Sequence, residues 1–228
     1  MSPAMLAIIV SALALVGLIA LAGVWLTARR SRAMRRFAAD NGFSYMGDTW
    51  VLGDCGFHLF RKGNRRRWSN VMSGAWNGTT LVYADYQFTE NQGRSAQTYV
   101  FSAVVTDLGC TMPEVEVTSR SMLGELADQI DAGGLRFDSE EFDQRFVVSS
   151  DDEPFAKELV DGDMRQVLMG TPPELHVHFG PTRMVVWGHR RPPATIGALL
   201  DAAAALDHRV PVVVRHERGV AHAVAHTG

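Results

Sequence analysis

WSNVMSGAWNGTTLVYADYQFTENQGRSAQTYVFSAVVTDL, Trp68 to Leu108, reads as three consecutive antiparallel strands. Asn77-Gly78 is the dipeptide favoured in two-residue hairpin turns, because both central residues need positive φ. Val82, Ala84, Tyr86 and Phe88 alternate onto one face of the second strand, and Tyr99, Phe101, Ala103 and Val105 do so on the third. That period of two marks half-buried strands. A second turn at Glu90 to Arg94 joins them, so the stretch predicts a three-stranded meander.

Working outward toward the C-terminus, Glu114 to Arg120 (EVEVTSR) alternates Val115 and Val117 with acids and predicts another strand. SMLGELADQI predicts a short helix ending near Ile130, broken by Gly133-Gly134. The acidic run DSEEFDQ then leads into a strand, RFVVSS. Ser150 to Pro154 (SDDEP) supplies cap oxygens, first-turn negative charge and a first-turn proline, so a helix starts there. Gly162 interrupts it, and a second helix runs to Gly170-Thr171-Pro172-Pro173. ELHVHFG-PTR-MVVWGH predicts a hairpin turning at Gly180-Pro181, ATIGALLDAAAALDHR a last helix, and Pro211 to Val214 an edge strand. Residues 216–228 read as a disordered tail.

Toward the N-terminus, Arg65-Arg66-Arg67 reads as an exposed loop, and Val51 to Phe60 (VLGDCGFHLF) as two short extended pieces around Gly53 and Gly56. Phe43 to Met46 predicts a strand that follows the helix stop Asn41-Gly42. Beyond it lies MLAIIVSALALVGLIALAGVWL, Met5 to Leu26, 22 residues without a charge. At helical rise it extends about 33 Å, enough to span a bilayer.

Arg29, Arg30, Arg32, Arg35 and Arg36 follow this span, which orients it with the N-terminus outside and the C-terminal domain in the cytoplasm. Trp25 sits where an indole can straddle acyl chain and headgroup. The alternative is a cleaved leader, for which Ala20-Leu21-Ala22 has the small-x-small form. A leader, however, carries its basic residues before a shorter apolar core. The organisation read here is an anchor over residues 1–28, a basic juxtamembrane helix over 29–42, an α+β cytoplasmic domain over 43–215, and the tail. Its mostly antiparallel sheet packs with two to three helices.

Charge is divided along the chain. Residues 1–67 hold 10 Lys/Arg and 3 Asp/Glu (10 − 3 = +7), and residues 68–228 hold 12 and 22 (12 − 22 = −10). Base near the anchor suits an anionic leaflet, and the acidic remainder excludes nucleic acid as its partner. The lipid-contact candidates are therefore Trp25, Arg29, Arg30, Arg32, Arg35 and Arg36, with Arg65, Arg66 and Arg67 as a second cluster.

The chemical signals are few. His176 and His178, two apart on one strand face, with His189 on the neighbouring strand, have the spacing of a zinc site, and Glu174 is the carboxylate nearest to serve as its base. The paired carboxylates Glu140-Glu141 and Asp151-Asp152 read as a turn and a helix start. No phosphate-loop, zinc-protease, nucleophile-elbow or dinucleotide string occurs, so no cofactor is implied. Cys55 and Cys110 lie in unrelated contexts, and a disulfide between them fits only an oxidising compartment.

NVMSGAWNGTTLVYADYQF, FDSEEFDQRFVVSSDDEPFAKELV and ELHVHFGPTRMVVW together resemble membrane-anchored bacterial proteins in which an N-terminal span precedes a β-rich domain of unknown function. The resemblance covers most of residues 68–190 and implies an anchored α+β domain with no assigned catalytic residue. Two function classes stay open. One is a non-catalytic binding module contacting the bilayer, anionic headgroups or a cytoplasmic protein; the other is a membrane-anchored metal-dependent hydrolase built on His176, His178 and His189.

Overall fold

In the computed structural model, which describes residues 3–49, 52–53, 55–92, 95–122, 134–211 and 214, the chain opens with one unbroken helix, α1 (Pro3–Asp40). It is long and apolar enough to cross a membrane, and none of its most apolar window is buried by the domain. Its last turns serve the domain, with Met34 and Ala38 buried in the core. The apolar stretch and the basic segment are thus one continuous helix.

Eight strands follow in one sheet: β1 (Ser44–Gly47), β2 (Asn64–Trp76), β3 (Thr79–Gln92), β4 (Ser95–Asp107), β5 (Val115–Ser119), β6 (Phe146–Ser149), β7 (His176–Phe179) and β8 (Arg183–His189). Their order is β1-β2-β3-β4-β8-β7-β5-β6, and every pairing is antiparallel. The β2–β4 meander matches the sequence reading in order and pairing, but Glu90 to Gln92 belong to β3 rather than to the second turn, and residues 93–94 lie outside the described residues. Asn77 and Gly78 have φ of 47° and 84°, the left-handed pair that this hairpin needs. The tip is tied down by Trp76 Nε1 and Asn77 Nδ2, which donate to Asp201 Oδ1 at 2.8 and 3.0 Å.

Asp201 belongs to the last helix of a layer on one sheet face. The layer contains α2 (Glu140–Arg145), α3 (Glu153–Leu159), α4 (Gly162–Gly170) and α5 (Ile196–Arg209). Side-chain caps start three of them: Ser139 Oγ accepts from Phe142 N, Asp152 from Phe155 N and Asp161 from Met164 N. Phe142, Phe155, Leu159, Leu168, Leu199 and Leu200 pack there against Tyr83, Val104, Val177 and Val186. The other face is covered too. Phe57, Leu59 and Phe60 lie over Trp68, Tyr86, Phe101 and Trp187.

Five expectations change. The acidic DSEEFDQ run is not a solvated turn but supplies the cap and first turn of α2. Val51 to Phe60 forms no extended pieces among its described residues; it makes tight turns and a 3-10 turn, His58–Arg61, with Gly53, Cys55 and Gly56 all at positive φ. Arg65 to Arg67 stand in β2 rather than in a loop. The meander strands bury both faces, because the helices and the 52–60 segment each need one. Pro211 and Val214 lie outside the sheet, contrary to the edge-strand expectation. The helix expected before Ile130 and the 216–228 tail lie outside the described residues.

Cys55 packs with one core and Cys110 is buried in the other, across the sheet. They are not disulfide partners.

Candidate membrane-proximal face

Asp85 is the residue on which α1 is seated. It stands mid-strand in β3, its side chain 2% exposed. A carboxylate so placed needs a cation and donors, because water no longer solvates it. Arg30 supplies both: Nε and Nη2 donate to the two Asp85 oxygens at 2.6 and 2.7 Å, a bidentate fork, while Nη1 donates to Arg191 O at 2.8 Å. Asn70 Nδ2 and Tyr83 Oη each donate to Asp85 at 2.8 Å, and Arg190 Nε lies 3.8 Å away. Outside these, Tyr45 Oη donates to Asn70 Oδ1 at 2.9 Å and Arg191 N to Ser102 Oγ at 3.0 Å. Burial, then the charge of Asp85, pushes the Tyr83 hydroxyl well above its ordinary pKa and keeps it a donor. Burial and the neighbouring Arg30 charge lower Arg190.

The network fixes how α1 crosses the sheet. Phe37 stacks on Trp76, the last residue of β2, at 6.2 Å. Seven residues nearer the N-terminus, Arg30 binds Asp85, whose register partner Ser69 lies seven residues back along β2. Climbing α1 toward the apolar span therefore moves away from the hairpin tip and toward the end of the sheet where β2 begins. Arg65, Arg66 and Arg67 stand at that end, all exposed. The two basic segments, separated in sequence, lie toward the same end of the sheet.

Individual arginines have different tasks. Arg30 is turned inward to Asp85 rather than outward. Arg29 lies over the Trp25 ring at 5.4 Å and Arg35 over Tyr45 at 5.1 Å, both geometries of cation–π contact. Arg66 Nη1 donates to Phe60 O at 3.2 Å, and Arg67 pairs with Asp48. Trp25, Arg29, Arg32, Arg36 and Phe37 line an open groove of about 680 Å³ closed on its far side by Pro193 and Ala194. Its lining mixes two aromatic rings and three guanidinium groups with the Asp40 carboxylate.

The expected three-histidine site does not form. His176 and His178 are buried together, but His189 is exposed at the end of β8, where it pairs with Phe101, and Glu174 is exposed as well. The third member is Glu116, brought across by the β5–β7 pairing.

No protein-family model matches the sequence, and no curated protein matches it significantly. Among solved structures, the crystal structure of the mycobacterial trehalose monomycolate transport factor A, TtfA, is similar, with 12% sequence identity and a TM-score of 0.58 over 80% of this chain and 95% of that one. At that identity the likeness is one of fold alone.

Proposed function

We propose that this chain is a membrane-anchored, non-catalytic interaction module whose domain lies on the cytoplasmic side, with Trp25, Arg29, Arg32, Arg35, Arg36 and Arg65 to Arg67 toward an anionic leaflet. One observation carries the reading: the long apolar helix continues unbroken to Asp40, and the Arg30–Asp85 fork locks it to the sheet. A flexible linker would leave the domain free to tumble; a rigid helix prescribes one attitude. The acidic remainder then faces away, available to a protein partner. The likeness to a transport factor supports the accessory-module reading over the hydrolase reading, which has lost its third histidine.

Side is set by the arginines that follow the span. A reporter enzyme active only outside the cytoplasm, fused after Gly228, is expected to stay silent, while one active only inside is expected to work. Strong activity from the external reporter would place the domain on the other side and remove the inner leaflet as its surface.

A further inference from the structure

We propose that Glu116, His176 and His178 bind a divalent transition-metal ion of the zinc class, independently of the membrane-proximal face. Their ligand atoms all lie within 4.8 Å of one another. Antiparallel register makes the set: Glu116 on β5 faces His178 on β7, and Thr118 faces His176, so alternation puts all four side chains on one sheet face. His178 Nδ1 is 3.1 Å from Glu116 Oε1, and His176 Nε2 is 4.0 Å from Glu116 Oε2. Ligand atoms on one tetrahedral zinc stand ~3.4 Å apart, so small rotations of Glu116 close the site.

The outer nitrogens carry the argument further. His176 Nδ1 lies 2.8 Å from Thr118 Oγ1, and His178 Nε2 lies 3.4 Å from Glu114 Oε2. His176 thus turns one nitrogen to the centre and the other to a hydroxyl oxygen, the arrangement that fixes tautomer and ring orientation in metal-ligating histidines, while His178 Nε2 faces the Glu114 carboxylate without hydrogen-bond geometry. Aromatic walls hold both rings: Phe57 packs edge-on to His178 at 4.7 Å and Trp187 against His176 at 4.6 Å. Both histidine side chains are 3% exposed and Glu116 is 17% exposed, which leaves one approach for the ion and for water as fourth ligand. Two imidazoles select zinc, cobalt or copper over magnesium and calcium. The ion would staple β7 to β5, the pairing that joins the hairpin β7–β8 to the far edge of the sheet.

The test titrates the full chain in detergent, stripped with chelator, with zinc alone and then with cobalt. One equivalent of zinc bound, a raised melting temperature, and the intense visible bands of four-coordinate cobalt are expected. Glu116→Gln with His178→Gln should abolish that equivalent, Thr118→Val should weaken it about 10- to 100-fold, and His189→Gln should leave it unchanged. Binding equal in wild type and the double variant would overturn the proposal, as would melting that responds to pH but not to zinc. Should the double variant fail to fold, the cobalt spectrum of the wild type decides: weak, six-coordinate bands would sink the site.

Discussion

Arg30→Ala is expected to destabilise the domain by about 3 to 5 kcal/mol, because it strands the Asp85 carboxylate in the core with its cation gone. The residual donors, Tyr83 Oη and Asn70 Nδ2, keep the cost from rising further. Arg190, 3.8 Å away and more exposed, is too poorly placed to replace a bidentate fork. Arg30→Lys retains charge but loses the second hydrogen bond and the bond to Arg191 O, so its loss should be smaller, about 1 to 2 kcal/mol. Denaturant titration of the purified full chain, followed by tryptophan fluorescence, measures both. A loss under about 1 kcal/mol for the alanine variant would mean that α1 is not seated by this pair.

Trp68→Ala should cost a similar amount, about 3 to 5 kcal/mol, by emptying the centre of the second core. Trp68 is 1% exposed, packs edge-on to Phe60 at 4.5 Å and on Tyr86 at 4.5 Å, and donates Nε1 to Gly53 O at 2.9 Å. It therefore holds the turns of residues 52–60 onto the sheet as well as filling space. Trypsin should cut after Arg61 and Lys62 in the variant much faster than in wild type, under conditions where the helical layer still resists. Equal cleavage in the two proteins would show that the segment is held elsewhere.

What could be read in advance follows from range. Asn77-Gly78, the cap oxygens at Ser150 to Pro154 and the alternation in β3 and β4 are local rules, and each of these elements lies where its own residues put it. Ser139 with Glu140 and Glu141 is an equally local cap, masked in the sequence because paired acids read as a turn. The 52–60 segment departs from its local pattern for the opposite reason: its glycines suggest strand breaks, while Trp68 and Tyr86 on the sheet face beneath hold its conformation. Asp85 did carry a signal. A lone acid inside LVYADYQF, between residues that must be buried, calls for a cation, and the adjoining arginines were already in view. In the histidine cluster, i and i+2 spacing on β7 was legible, but Glu116 lies 60 positions from His176 and arrives only through the β5–β7 pairing. Chain order favoured His189 instead.

The proposed attitude requires the domain to meet the bilayer through one basic face. Each exposed Lys or Arg near an anionic leaflet is worth about 1 kcal/mol, decaying over about 10 Å, so Arg65 to Arg67 count only if α1 brings them close. The fragment from Thr27 onward keeps Arg30, Met34 and Ala38, hence the seated part of α1. Its sedimentation with anionic liposomes, at low salt and at about 0.5 M salt, should be strong and then weak. Changing Arg65, Arg66 and Arg67 together to Gln should reduce the low-salt binding by an order of magnitude or more. Binding that ignores salt, or that is the same with and without the three arginines, would contradict the proposed attitude of the domain.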